Sequence, residues 1–273
     1  MRAILAMTKT YLLLAVRIRT AFMFSFVYPF AYLVLYLTAF GSHVPAAQLI
    51  GPLLAFTVLS RALFGIGTQF SMMREREILK RYWLAPITPF QILISRLIGN
   101  YLLLMIVLVA QIAIAMIIFR LPLLASPVEL FVFLSIGVIG VCAIGLLVPS
   151  VANTTQEGQI MNQCLFFLCL LLSGSVLPFL ALPTWVREGA MTAPPAVLTL
   201  GLSRLFSGHP PANAMLSLGL DLVVCAVTCV AIAAALFRWD RNQVVTTPQR
   251  AYAAVSLLPL LAFSVALAYF KVI

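Results

Sequence analysis

The chain has 273 residues, of which 63% are hydrophobic and only 9% charged, and its formal net charge is +10. A mean hydropathy of +1.12 predicts an integral membrane protein rather than a soluble globular core. The apolar runs are about 20 residues long, which favours helical spans over the alternating strands of an outer-membrane barrel. The basic residues lie at the ends of these runs, so the positive charge does not indicate a nucleic-acid partner.

The first predicted element is an amphipathic interfacial helix over residues 1–20. On a helical wheel Arg2 and Lys9 fall on one side, and Met7 and Tyr11 fall on the opposite side. A helix with these two faces is expected at the cytoplasmic surface of a membrane.

Six apolar runs then predict a six-span domain over residues 21–240. The predicted spans are residues 21–40, 48–72, 92–119, 129–152, 160–177 and 214–239. A polar turn at residues 153–159 joins the fourth and fifth spans, and a Pro-rich segment at residues 178–213 precedes the sixth. A basic linker and a last apolar run, residues 241–273, add a seventh span or, because of Pro259, a re-entrant or interfacial helix.

The distribution of Lys and Arg predicts a cytoplasmic N-terminus. With that orientation the inner segments hold twelve basic residues and the outer segments hold four, while Arg61 is left within the second span. Lys and Arg collect on the cytoplasmic side of membrane proteins, so this excess fixes the expected topology.

The longest charged run, R-E-R-E-I-L-K-R, occupies residues 74–81 directly after the second span. Glu77 precedes Lys80 by three positions and Arg81 by four, which suits ion pairs on one face of a helix. Aromatic residues beginning at Tyr82 follow, and such rings favour the membrane–water interface. The run is predicted to be a short helix on the inner membrane face, and the alternative is a solvated loop that only sets topology.

A new helix is predicted to begin shortly after this run. Pro86 and Pro89 interrupt the preceding helix. Thr88 is the expected N-cap, Pro89 takes the first helical position, and Gln91 completes a capping box.

Few groups in the spans could perform chemistry. The five cysteines all fall within apolar spans and are interpreted as small buried hydrophobic residues, and neither His43 nor His209 has a partner nearby in sequence. Asp221 is the acidic residue predicted inside a span. A membrane enzyme acting on lipids and an ion-coupled secondary transporter are both disfavoured, because each needs buried acidic groups.

Arg61 lies near the middle of the second span. A central Arg costs at least ~2.5 kcal/mol, so it is expected to have a partner or water. Asp221 is a candidate partner by charge, but it is expected near the outer end of the sixth span, roughly 10 Å away in depth, and reads as a tolerated residue near the interface. Arg61 is therefore assigned either to a substrate pathway or to a structural polar contact.

The chain resembles the transmembrane permease subunits of the type-2 ABC exporter superfamily, which export drugs, lipids and polysaccharides. The resemblance covers about residues 10–240 and rests on four features that occur in the same order. They are R-I-R-T at residues 17–20 before a span with Pro29, the run at 74–81 followed by L-A-P, the turn N-T-T-Q-E at 153–157, and Ser173-Gly174 with Pro178, Leu182-Pro183 and Pro194.

The resemblance implies an all-α polytopic permease with a connecting helix at residues 2–19, a cytoplasmic coupling helix and an outer re-entrant hairpin. It also implies a homodimer in the bacterial cytoplasmic membrane, with ATP and Mg²⁺ bound by a separate cytoplasmic ATPase subunit. The chain agrees, since it contains no G-x-x-x-x-G-K-[ST] phosphate loop. The implied coupling residues are Arg74, Glu75, Arg76, Glu77, Lys80, Arg81, Tyr82 and Leu84, with Asn153, Gln156 and Glu157 at a second contact.

The implied substrate pathway follows the dimer interface, between the second and fifth spans and under a hairpin at residues 178–195. Its candidate lining residues are Arg61, Phe64, Phe166, Phe167, Leu170, Leu171 and Pro178. A bulky apolar lining favours a hydrophobic or amphipathic substrate, such as a drug-like molecule or a lipid. The alternatives are that these side chains face lipid or neighbouring helices, or that the exporter moves a polysaccharide or glycolipid. Arg61 and residues 251–273 depart from the family pattern.

Overall fold

The computed structural model describes residues 2–17, 23–41, 46–84, 87–119, 126–174, 193–208 and 212–237. Within these residues every regular element is helical, as expected for an all-α fold. The α-helices are α1 (Arg2–Arg17), α2 (Tyr28–Phe40), α3 (Ala46–Ser60), α4 (Thr68–Glu75), α5 (Ile78–Trp83), α6 (Pro89–Phe119), α7 (Pro127–Val151), α8 (Thr155–Leu172), α9 (Pro194–Ser207) and α10 (Ala212–Ala235). The predicted linker and seventh span, residues 241–273, lie outside the described residues.

Four helical stretches in the described residues are long and apolar enough to cross a membrane. They are Gln48–Glu75, Pro89–Ile118, Pro127–Val151 and Ala214–Ala235. Apolar helices are thereby confirmed at the predicted second, third, fourth and sixth spans. Within the predicted first and fifth spans the structure describes helices as well, but α2 has 13 residues and α8 has 18 with several glutamines. The count of six spans therefore stays a prediction.

The second predicted span is interrupted by a change of helix type. α3 passes into a π-helical segment, Arg61–Gly67, which continues without a break into α4. Gly65 and Gly67 lie inside this segment, and their low α-helical propensity makes a wider turn less costly. A second π-helical turn, Met23–Val27, leads into α2 just before Pro29, which has no N–H for an α-helical bond. Wide turns of this kind occur mainly as short insertions within α-helices.

The N-terminal helix α1 packs lengthwise against the start of α6. The Thr8 hydroxyl donates to the Ser95 carbonyl at 3.2 Å, and the Tyr11 ring lies so close to Gly99 that a larger residue there would collide with it. Lys9 is exposed and Tyr11 is buried, in line with the two predicted faces, whereas Leu14 on the predicted apolar face is exposed. A helix resting on lipid alone would leave Thr8 and Tyr11 without these partners, so α1 is a packed part of the bundle.

Helix α7 lies at the centre of the bundle and contacts α10, α9 and the π-helical segment. Gly145 lies directly against the carbonyl of Ala62, and Gly140 lies against the main chain of Leu222. A β-carbon at either position would force the helices apart. Small residues at such crossings are typical of membrane helices, whose association depends on close packing.

Helix α9 is a short buried helix that runs antiparallel to α7. Leu198 packs against Gly137, ten residues into α7, and Gly201 packs against the ring of Phe133, nearer the start of α7. The N-terminus of α9 therefore lies well inside the bundle and its C-terminus lies towards the end where α7 begins. With 14 residues α9 is too short to cross a membrane. The predicted hairpin, residues 178–195, lies almost wholly outside the described residues, and α9 begins at its last two positions.

Candidate functional site

The predicted single helix over residues 74–84 is divided in the structure, which corrects that prediction. Arg74 and Glu75 end α4, and a turn follows before α5 begins at Ile78. Glu77 adopts a left-handed conformation with φ 56°, an uncommon conformation for a residue with a side chain. Glu77 precedes α5 rather than belonging to it, so the prediction that Glu77 shares one helix with Lys80 and Arg81 is wrong.

The short helix α5 is anchored by apolar residues and presents charges outward. Leu79 is fully buried, and Ile78 and Tyr82 are half-buried against the core. Arg81 is exposed, and Leu84, which follows the helix, is 86% exposed. The preceding residues Glu75, Arg76 and Glu77 are exposed as well. Glu75, Arg76, Glu77, Arg81 and Leu84 thus form an accessible surface, and the half-buried Tyr82 belongs to its support.

Arg74 differs from its neighbours because its side chain is buried, with 4% of its surface exposed. Its two terminal nitrogens donate to the carbonyls of Pro149 and Ala152, each at 2.6 Å. Both carbonyls belong to the end of α7. The carboxylates of Glu157 and Glu75 attract the guanidinium electrostatically. Arg74 therefore faces into the bundle, and the sequence-based grouping of Arg74 with the exposed coupling residues is corrected.

The second predicted contact lies at the same end of the bundle as α5. The polar turn predicted over residues 153–159 is shorter than expected, since α8 already begins at Thr155. Thr154 caps α8 by accepting from the Glu157 amide at 3.1 Å, and the Glu157 carboxylate accepts from the Asn153 amide at 2.7 Å. The T-x-x-E pattern of a capping box was present in the sequence and was overlooked. Gln156 is exposed beside this cap.

The capping box predicted at the start of α6 is confirmed. The Thr88 amide donates to the Gln91 side-chain oxygen at 3.2 Å, and the Gln91 amide donates to the Thr88 hydroxyl at 3.3 Å. Reciprocal bonds of this kind fix where a helix starts. A little further along α6, the Arg96 guanidinium lies over the Tyr11 ring and donates to the Met73 sulfur. Helix α1 and the first part of α6 are thereby joined to the end of α4.

Arg61 begins the π-helical segment and lies in a network of polar side chains. Its Nε donates to the Asn100 side-chain oxygen at 3.1 Å, and its Nη2 reaches the Tyr11 hydroxyl at 3.5 Å. Tyr11 also donates to the same Asn100 oxygen at 3.2 Å, and the Asn100 nitrogen donates to the Cys142 sulfur at 3.1 Å. The structural polar contact expected for Arg61 is therefore present. Its partners were missed, although Asn100 is conspicuous as an amide within an apolar run.

Asp221 lies in the interior of the bundle, with 3% of its surface exposed. Its neighbour Leu222 packs against Gly140 in the middle of α7. The prediction that Asp221 is a tolerated residue near the membrane interface is therefore wrong, because α10 turns this side chain towards other helices.

The predicted pathway residues divide between the interior and the surface of the subunit. Phe166 is buried, with ring centroids 5.9 Å from Phe56 and 4.9 Å from Phe64. Phe64 and Phe167 are exposed, and the Phe167 ring lies 5.8 Å from Phe166. Leu171 is also exposed and Leu170 is half-buried. The structure therefore brings an aromatic cluster together at the junction of the π-helical segment and α8, and part of it faces outward.

The exposed side of α8 also carries amides. Gln156, Gln159 and Gln163 are exposed and follow one another at helical spacing, ahead of Phe167. Amides within a membrane segment usually face protein or water rather than lipid, because lipid offers them no hydrogen bonds. This side of α8 is therefore polar towards the end with α5 and aromatic towards the other end.

The helical bundle and its apolar spans are those of a polytopic membrane protein. The family model described as ABC-2 type transporter matches residues 2–205, more than half of the chain, and the chain belongs to this family. A membrane domain of this kind is the permease component of an ABC transporter, and such permeases normally work with an ATPase partner. No curated protein matches the chain.

Proposed function

We propose that this chain is the permease subunit of an ATP-driven exporter that acts as a homodimer with a separate cytoplasmic ATPase. ATP and Mg²⁺ are bound by the partner, and the permease receives the resulting motion. The observation that carries the proposal is α5: a charged, accessible helix held against the core by Leu79, beside a second exposed element at Gln156. A helix mounted in this way is suited to dock in a groove of a moving partner.

The charge distribution supports a bacterial cytoplasmic membrane location with α5 and the N-terminus inside. Arg74, Arg76 and Arg81 lie at the end of the bundle where α6 starts, and Arg96 is joined to that end through Met73. Basic residues collect on the cytoplasmic side. The opposite end, where α7 begins, carries the acidic Glu129 in the first turn of that helix.

The exposed side of α8 supports a pathway shared between two copies of the chain. A second copy would cover Phe64, Phe167 and Leu171 and would enclose the amides in a polar inner entrance. The change from amides to rings along α8 suits an amphipathic substrate, such as a drug-like molecule or a lipid, leaving the cytoplasm or inner leaflet. ATP-driven closure of the ATPase pair would move α5 and, through it, the helices around the pathway as rigid bodies.

A glycolipid or polysaccharide is the second candidate substrate, and the amides of α8 favour it. Gln159 and Gln163 can exchange hydrogen bonds with sugar hydroxyls beside the Phe167 ring. Transport assays that compare an apolar fluorescent lipid with the same lipid bearing a sugar headgroup would separate the two candidates.

Co-purification with the ATPase encoded next to this chain tests the proposal. Reversal of the exposed charges by Glu77→Lys or Arg81→Glu is expected to disrupt a complex that the wild-type chain forms. Glu129→Lys is the matched control, because Glu129 is also exposed but lies at the far end of the bundle. If both variants bind the ATPase as the wild-type chain does, or if the wild-type chain does not bind it, the charged run only sets topology.

A further inference from the structure

Arg74 belongs by sequence to the charged coupling segment but contacts a different part of the molecule. Glu75, Arg76 and Glu77 are exposed immediately after it, whereas the Arg74 guanidinium points into the bundle and ends on α7. A buried charge is retained only with strong partners, since the cost of removing it from water is large. The two bonds of 2.6 Å supply such partners.

The acceptors of Arg74 are two carbonyls at the C-terminal end of α7. The last carbonyls of a helix have no amide donor within that helix, and the same end favours a positive charge. The amide four residues after Pro149 is that of Asn153, and it donates to the Glu157 carboxylate instead. Ala152, the other acceptor, is the C-cap residue of α7 in an extended conformation. Arg74, which belongs to α4, thus supplies donors to the C-terminal end of α7.

A continuous series of bonds then leads from Arg74 to the second coupling element. Arg74 holds Ala152, the adjacent Asn153 amide is held by Glu157, and the Glu157 amide is held by Thr154 at the start of α8. A planar guanidinium that donates to two acceptors fixes direction as well as distance, which a single bond does not. The corner between α4 and α5 is therefore tied to the turn between α7 and α8.

We propose that Arg74 is a positioning residue that unites α5 and the Ala152–Glu157 turn into one rigid unit, so that a partner engaging either element moves both. This inference rests on the proposed function, since the unit transmits motion only if an ATPase docks there. The rigid connection itself belongs to the permease alone. It makes Arg74 a transmitter of the motion, while the exposed charges of α5 provide the binding surface.

A distance measurement in the isolated permease tests the connection. Spin labels are placed at Leu84→Cys and Gln156→Cys, both exposed, in a Cys164→Ser chain, because the other four cysteines are buried. With labelled chains diluted in unlabelled chains, so that only distances within one subunit are read, pulsed electron paramagnetic resonance is expected to give a narrow distribution with Arg74 and one about twofold broader with Arg74→Gln. Arg76→Gln is the matched control and should leave the distribution narrow. Equal widths for Arg74 and Arg74→Gln would overturn the inference.

A second measurement separates transmission from binding and uses unlabelled chains. Arg74→Gln is expected to retain the ATPase in co-purification but to lower permease-dependent ATP hydrolysis about tenfold. Arg74→Lys keeps the charge without the planar guanidinium, and its ATP hydrolysis should fall between those of the wild type and Arg74→Gln. It also provides a second test if the Gln variant folds poorly. Loss of binding in parallel with loss of hydrolysis would contradict a positioning role. If the wild-type chain binds no ATPase, the proposed function fails, and the distance measurement alone decides the connection.

Discussion

Arg61 and Arg74 lie on the same span, and the protein holds their charges in different ways. Arg61, in the middle, is half-buried and bonds to the side chains of Asn100 and Tyr11, which come from two other helices. Arg74, at the end, is buried and bonds to two main-chain carbonyls of one helix. Side chains can change rotamer and exchange partners, whereas carbonyls at a helix end are fixed in place. We therefore expect Arg61 to exchange hydrogen-bond partners more easily than Arg74.

The largest effect is expected from removal of the fixed arginine. Arg74→Met removes two hydrogen bonds that a charged donor makes to buried carbonyls, and each such loss costs about 1–3 kcal/mol. We expect the free energy of unfolding in detergent to fall by about 2–5 kcal/mol. Arg76→Met, two residues away and exposed, is the control and should stay within about 0.5 kcal/mol of the wild type. If the two variants have equal stability, Arg74 does not fix the end of α7.

A smaller effect is expected where the arginine can find new partners. Asn100→Leu removes one acceptor from Arg61, and Tyr11 remains within reach, so we expect a loss of about 1–2 kcal/mol in the same unfolding assay. The double variant Arg61→Met with Asn100→Leu removes both members of the pair and leaves the Tyr11 hydroxyl without these two partners, so its loss should be smaller than the sum of the two single losses. Strictly additive losses in this double-mutant cycle would show that the two side chains are not coupled.

The smallest effect, an increase in stability, is expected at Asn162, which packs against the part of the span between Arg61 and Arg74. Asn162 of α8 is fully buried against Gly67, and its amide nitrogen and oxygen have no hydrogen-bond partner among the described residues. Asn162→Leu removes this unsatisfied group at similar volume and should raise the free energy of unfolding by about 1 kcal/mol. Asn162→Asp should lower it, since a buried charge is worse than a buried amide. A less stable Leu variant would mean that the amide is satisfied.

The sequence was sufficient for features that depend on neighbouring residues. The apolar spans, the capping box of Thr88 and Gln91, and the two faces of α1 all follow from local spacing. The membership in a permease family could also be recognised from four motifs in order. Local patterns of this kind are visible because each cause lies within one helical turn of its effect.

The features that were missed depend on residues distant in sequence. The acceptors of Arg74 lie 75 and 78 positions away, and those of Arg61 lie 39 and 50 positions away. No spacing rule connects such residues before the helices are packed. The break at Glu77 was missed for another reason, because a left-handed glutamate gives no signal comparable to glycine at the same position.

The π-helical segment Arg61–Gly67 has a consequence for comparing this chain with its relatives. A wider turn accommodates a residue that an α-helix of the same length would not, and each residue corresponds to about 100° of rotation. The halves of the span before and after the segment are therefore out of phase with a single helical wheel. A relative whose span is α-helical throughout would align with this chain only through a gap within residues 61–67. A gap at this position of the alignment would indicate that one half of the helix is rotated relative to the other, rather than an error of alignment.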